Sequence, residues 1–272
     1  MPFVSRAGAR IHYETCGRDH AGTPVILVQG LGLSSRFWFD VPDTLANDPS
    51  HPRRVLVLDN RGSGRSSRPT RPFSIGTMAD DVAAVLDAEQ ISAAIIVGIS
   101  MGGMIAQQVA LRHPARVAGL LLLATSPGLL AGGFPDPRSV ARLLSLPFAG
   151  PGASTSLLRL LLPRSKWPRA REIFAEWPEA MRVDPTEHRT FVAHLLAAAL
   201  HHVARSEYAR LGCPALVVAG ADDVLMPKRY AEALARRIPG AELLVLPDTG
   251  HALFAEDRDL VRRLVARVEA KI

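Results

Sequence analysis

Residues 93–104 read AAIIVGISMGGM, and the fold follows from them. The β-branched run Ile95-Ile96-Val97 suits a strand buried on both faces. It ends in Gly98-Ile99-Ser100-Met101-Gly102-Gly103, and Met101 to His113 then fits a helix. A serine thus stands at the apex of a strand–turn–helix junction with glycine two positions to either side. Such a turn doubles back so closely that Cβ atoms at the flanking positions collide with neighbouring backbone. The Ser100 hydroxyl is lifted clear of the sheet, at a helix N-terminus whose dipole favours developing negative charge. A chance turn serine is the bland alternative, and the rest of the chain decides against it.

Outward from that turn, apolar runs alternate with helical patterns. Phe3–Ser5 and Arg10–Tyr13 flank Ala7-Gly8-Ala9 as an antiparallel hairpin. Pro24–Val28, Val55–Leu58, Ile95–Gly98, Leu120–Leu123, Ala215–Ala219 and Leu243–Leu246 read as buried strands. Between them, Met78–Glu89, Met101–His113, Tyr230–Ile238 and Leu260–Val268 carry helical spacing. Alternation of this kind implies βαβ crossovers and a mostly parallel sheet with helices on both faces, an α/β fold. Residues 127–211 interrupt the rhythm with recurrent prolines and leucine-rich pieces, and Thr186–Tyr208 reads as one longer helix. We expect residues 1–126 and 212–272 to form the core and 127–211 a helical cap over the carboxyl edge of the sheet, where open α/β sheets bind their ligands.

Composition narrows the function. The chain has 272 residues, 48% of them hydrophobic and 21% charged, which suits a globular domain with a sizeable core. The net charge of +6 comes from scattered arginines. No basic run interleaved with aromatics suggests a nucleic-acid partner. Two cysteines, Cys16 and Cys213, make no disulfide framework and no zinc-ligand spacing. No run approaches the roughly 20 apolar residues that span a bilayer. The expectation is a cytoplasmic protein acting on a small molecule, without a metal or other cofactor and without a membrane; the sequence leaves the oligomeric state open.

A serine hydroxyl needs a base to take its proton, and an imidazole is the usual one near neutral pH. Of nine histidines, His251 lies on a short loop leaving the strand Leu243–Leu246 at its carboxyl end. His201 and His202 are adjacent, cannot share one helix face, and have no carboxylate at ligand spacing. The base needs an orienting carboxylate. Asp222 and Asp223 follow the strand Ala215–Ala219, and Asp248 is a rival close in sequence. The oxyanion of a tetrahedral intermediate needs preorganised N–H donors. The Met101 N–H is one candidate, and the Leu31 N–H in Gln29-Gly30-Leu31-Gly32 the other.

Taken in order, Gln29-Gly30-x-Gly32, Asp59-Asn60-Arg61-Gly62-Ser63-Gly64-Arg65-Ser66, Gly98-x-Ser100-x-Gly102-Gly103, Gly220-x-x-Asp223 with Pro227, and Gly250-His251 resemble the α/β-hydrolase fold superfamily. The likeness covers nearly the whole chain outside residues 127–211. It implies Ser100 as nucleophile, Asp223 as acid, His251 as base, and Leu31 and Met101 as oxyanion donors. The family's acid stands four residues before the proline, which selects Asp223 over Asp222. Members often carry His-Gly where this chain has Gln29-Gly30, so the loop geometry and substrate shape there differ. A serine at position 100 argues against the branches whose nucleophile is aspartate, the epoxide hydrolases and haloalkane dehalogenases.

The expected activity is cofactor-independent hydrolysis of a carboxylic ester or lactone of a small, largely apolar substrate through an acyl-enzyme. Gln29 and Trp38, the latter within Phe37-Trp38-Phe39 just beyond the oxyanion loop, are the expected substrate contacts. The same triad also serves carbon–carbon bond hydrolases, lyases and perhydrolases, and the fold also serves as a non-catalytic small-molecule receptor. Gly30-Leu31-Gly32 mimics a dinucleotide fingerprint, but its third glycine is missing and the acidic residue at the end of the following strand, Asp59, lies further along than the usual ~20 residues. The Asp59–Ser66 segment reads as a structural βα turn.

Overall fold

The computed structural model describes residues 2–68, 70–128, 138, 141 and 160–272. Eight strands form one sheet in the order β1-β2-β4-β3-β5-β6-β7-β8. They are β1 (Phe3–Arg6), β2 (Ala9–Cys16), β3 (Gly22–Val28), β4 (Arg53–Leu58), β5 (Ala94–Ile99), β6 (Val117–Leu123), β7 (Ala215–Gly220) and β8 (Glu242–Leu246). The β1–β2 hairpin joins the sheet antiparallel through β2 and β4, with Tyr13 opposite Leu58. From β4 to β8 every pairing is parallel.

Both faces of the parallel sheet are buried, so its strands are apolar on every side chain and period two sorts them between two cores. Ile26 and Val28 of β3, Ile96 of β5, Leu120 and Leu122 of β6 and Val217 of β7 point to one face. There they pack against α2 (Ile75–Ala88), α3 (Met101–Arg112) and the helix Lys228–Ala235. Val25 and Leu27, Ile95 and Val97, Leu121 and Leu123, and Leu216 and Val218 point to the other face. That face is covered by α1 (Val41–Ala46) and the C-terminal helix Asp259–Glu269, through Val261, Leu264, Val265 and Val268. A capping box starts α2: Ser74 Oγ accepts from the Thr77 N–H, and Thr77 Oγ1 accepts from the Ser74 N–H.

Between β6 and β7 the described residues hold α4 (Ala170–Ile173), α5 (Trp177–Val183), α6 (His188–Ala199) and α7 (Arg205–Tyr208). Lys228–Ala235 is then α8 and Asp259–Glu269 is α9. The single helix expected over Thr186–Tyr208 is in fact two. Helix α6 stops at Leu200, and the chain runs non-helical from 201 to 204 before α7. No proline or glycine enforces the break. Tertiary contact does: His201 and Val203 turn inward and are buried, and Gly128 packs so close to the His201 carbonyl that a Cβ on it would lie 2.7 Å away. The remainder of the leucine-rich stretch, including most of 127–159, lies outside the described residues.

Strand β3 sits between β4 and β5, so the chain order reverses at β3. A crevice opens at such a switch point, outside the carboxyl ends of the strands. In the parallel register Val28 stands beside Gly98. The loop after β3 and the turn after β5 are thereby brought side by side.

Candidate active site

Ser100 occupies the turn between β5 and α3 with φ 56° and ψ −121°, a conformation costing a non-glycine residue roughly 1–3 kcal/mol. Backbone contacts hold it there. The Ser100 N–H donates to the Leu123 carbonyl at 2.8 Å, and Thr125 Oγ1 donates to the Ser100 carbonyl at 2.7 Å. The glycines are required by crowding. A Cβ on Gly98 would come within 3.0 Å of the Gly102 carbonyl, and one on Gly102 within 3.0 Å of the Val28 carbonyl. The Ser100 side chain is half-buried and faces Gly30, whose Cβ position lies 3.8 Å from Ser100 Oγ. Among the described residues no side chain or backbone group hydrogen-bonds this hydroxyl.

The loops after β7 and β8 bring Asp223 and His251 together. His251 Nδ1 lies 2.8 Å from Asp223 Oδ2, and both residues are buried. The other carboxylate oxygen, Oδ1, accepts the N–H groups of Leu225 and Met226, each at 2.8 Å. The carboxylate is therefore pinned, and an Nδ1–H donated to it leaves Nε2 with its lone pair. Asp222 is exposed. Asp248 is exposed and engages Ser165 and Lys166. Neither rival meets the imidazole. The His251 loop is itself anchored from the inserted segment, since the Ala252 N–H donates to the Leu161 carbonyl at 3.1 Å.

The loop after β3 carries the expected oxyanion donor at Leu31. Gln29 Oε1 turns back to accept the Gly30 N–H at 2.8 Å, and Asn60 Nδ2 donates to the Gln29 carbonyl at 2.9 Å. Gly30 is thus spoken for. The Leu31 and Met101 N–H groups have no acceptor among the described residues. Asp59, read from sequence as structural, is fully buried and ties neighbouring loops together: it accepts from the Ser35 N–H at 2.7 Å and the Arg65 N–H at 3.0 Å. Burial opposes its ionisation, yet hydrogen bonds from His12, Ser35 and Arg65 hold its carboxyl below the usual range.

Trp38 requires a correction. Expected against a substrate, it is 0% exposed and stacks on Phe254 with ring centroids 5.0 Å apart. Its ring belongs to the core behind the site. Its neighbours Phe37 and Phe39 instead meet Trp177 of the inserted segment, at centroid distances of 5.1 and 6.4 Å. Sequence reading placed Asn60 only within a structural turn and passed over Thr125, Thr186 and His194; all four hold the loops in place. Their signal is weak because each acts on backbone far away in sequence. Among the described residues no group of His, Cys, Asp or Glu is arranged to hold a metal ion, and no helix is long and apolar enough to cross a membrane.

A strained serine turn, a paired Asp–His and an N–H-bearing loop, all at the carboxyl ends of a parallel sheet, agree with what whole-chain likeness finds. The family model described as alpha/beta hydrolase fold matches residues 23–258. The chain belongs to the α/β-hydrolase fold family. A protein of Azorhizobium caulinodans, provisionally named carbamate hydrolase RutD, is 30% identical over 97% of both chains. A namesake in Variovorax paradoxus is 33% identical over 96% of this chain and 97% of its own. Among solved structures, Est816, described as an N-acyl homoserine lactone degrading enzyme, shares 30% identity at a TM-score of 0.78, covering 98% of this chain and 99% of its own. The enol-lactonase of Burkholderia xenovorans LB400 shares 25% identity at a TM-score of 0.83, covering 99% of this chain and 100% of its own. This α/β-hydrolase is an enzyme, a hydrolase of that fold.

Proposed function

We propose that this α/β-hydrolase cleaves a carboxylic ester or lactone by nucleophilic catalysis from Ser100, without a cofactor. The observation that carries the reading is the 2.8 Å contact between His251 Nδ1 and the pinned Asp223 carboxylate. It fixes the tautomer that leaves Nε2 as a base. His251 removes the Ser100 proton as Oγ attacks the carbonyl carbon. The resulting oxyanion is held by the Leu31 and Met101 N–H groups, which have no other acceptor among the described residues. Collapse expels the alcohol, protonated by the His251 imidazolium. Water then enters and gives a proton to His251 as its oxygen attacks the acyl carbon; the C–Oγ bond breaks, His251 returns that proton to Ser100 Oγ, and the acid leaves. In free enzymes the hydroxyl–imidazole contact is commonly long and tightens only with substrate bound.

Residues 127–211 act in this reading as a cap over the crevice. The names of the relatives cited above support acyl chemistry on esters and lactones, and a carbamate carbonyl is open to the same attack. A panel of chromogenic esters and lactones tests the proposal. Wild type turns over at least one of them, and Ser100→Ala lowers kcat by roughly 10³-fold or more. Unchanged turnover in that variant contradicts it, and product analysis with diketone substrates separates it from carbon–carbon bond cleavage.

A further inference from the structure

The loop that carries Leu31 is gripped from the cap side by two side chains. The Gly32 N–H donates to His194 Nδ1 at 3.0 Å, and Thr186 Oγ1 donates to the Gly32 carbonyl at 2.9 Å. The other ring nitrogen of His194, Nε2, donates to the Arg61 carbonyl at 2.8 Å. Thr190, one turn before His194 on α6, donates to the Gly62 carbonyl at 3.0 Å. Thr190 and His194 stand one turn apart on α6, and Thr186 lies in the non-helical stretch just before that helix, so together they address both loops.

On the other side of Leu31, the peptide joining Gln29 and Gly30 is held at both ends, its carbonyl by Asn60 and its N–H by the Gln29 side chain. The peptides flanking Gly32 are held by His194 and Thr186. Between them, the peptide bearing the Leu31 N–H keeps that donor unused by any described residue. Anchored neighbours aim a free N–H without reorganisation during reaction, which is what transition-state stabilisation demands. His194 is 0% exposed, lies edge-on to Phe73, and must present an unprotonated Nδ1 to accept from Gly32.

We propose that His194 and Thr186 are positioning residues that preorganise the Leu31 oxyanion donor, so that docking of the cap sets the catalytic competence of the sheet-borne site. The proposal rests on the hydrolase reading above. It assigns α6 a role in the rate of the chemical step, beyond covering substrate.

Two isosteric variants separate this from a merely structural role. His194→Asn keeps an acceptor near the Nδ1 position and drops the Arg61 bond. His194→Gln keeps a donor near the Nε2 position and orphans the Gly32 N–H. Rates with a chromogenic ester, Ser100 labelling by a fluorophosphonate and melting temperatures are measured for wild type, both variants, Thr186→Val and Thr186→Ser. The expected result is a kcat loss of about 10-fold or more in His194→Gln with KM little changed, and a clearly smaller loss in His194→Asn. Thr186→Ser recovers the rate lost in Thr186→Val. Equal losses in the two His194 variants, or losses that track melting temperature alone, overturn the proposal while wild-type activity leaves the hydrolase reading standing. Wild type that neither turns over nor labels at Ser100 removes the hydrolase reading and the proposal with it.

Discussion

Gly102 in the first turn of α3 lies against the Val28 carbonyl of β3 so tightly that a Cβ there would come within 3.0 Å of it, and 2.7 Å from the Gln29 carbonyl. The turn that carries Ser100 and the loop that carries Leu31 are locked together through the absence of one carbon. Gly102→Ala must therefore push two backbone segments apart. The expected cost is about 3 kcal/mol of stability, with loss of Ser100 labelling. Gly212→Ala, a site with nothing within 4 Å of the added Cβ, changes stability by less than about 0.5 kcal/mol. Urea unfolding of both variants checks the contrast.

Asp223 and its neighbours give a second test. Asp223→Asn keeps the size of the side chain and removes the charge that orients and stabilises His251. kcat is expected to fall by about 10⁴-fold. Asp222→Asn and Asp248→Asn, both on exposed residues that do not meet the imidazole, leave kcat within about twofold on the same grounds. A large loss on Asp248→Asn together with an active Asp223→Asn would assign the acid elsewhere. Steady-state kinetics with one chromogenic ester suffices.

Stability should fall on mild acidification. Burial, partly opposed by the bond to the Arg61 carbonyl, lowers the His194 pKa from 6.5 to about 4. Burial and the neighbouring His202 do the same to His201. Each imidazole is neutral when folded, whereas the unfolded chain takes up its proton already near pH 6.5. Stability is thus full above pH 6.5 and declines as pH falls toward about 4, by up to about 3 kcal/mol per histidine. Asp80, brought down to about 2 by Arg112 and His113 against the opposing effect of its burial, contributes to acid unfolding only below that window. Denaturant titrations from pH 7 to 4 measure the slope, and His194→Gln or His201→Gln should each flatten it.

Trp38 supplies a stability prediction distinct from catalysis. Its stack on Phe254 fills the core behind the site. Trp38→Ala should cost about 3–5 kcal/mol, whereas Trp38→Phe, folded at low temperature, should keep wild-type preference among esters of different acyl length. A changed preference in Trp38→Phe would return that ring to the substrate pocket.

Much of this architecture is legible in the sequence because the sheet is buried on both sides. Ile95-Ile96-Val97 and Ala215–Ala219 have few alternatives to a central parallel strand, and chemistry at the ends of such strands is confined to short loops. On that ground His251 could be picked out and the acid narrowed to Asp222, Asp223 or Asp248; the family resemblance selected Asp223, and its side chain does meet His251. What escaped has a common cause. The break after α6 is imposed by the burial of His201 and Val203 and by contact with Gly128, none of which leaves a local mark. His194 and Thr186 grip backbone more than 150 positions earlier, and an ordinary helix histidine carries no label for that task. Trp38 looked like a pocket residue only because its partner, Phe254, is distant in sequence.

The most direct test of the account is the intact mass of the protein after brief exposure to a fluorophosphonate, followed by peptide mapping. One adduct per chain is expected, located on Ser100, formed slowly in His251→Ala and absent in Ser100→Ala. An adduct on another residue, or ester turnover that persists undiminished in Ser100→Ala, would contradict it.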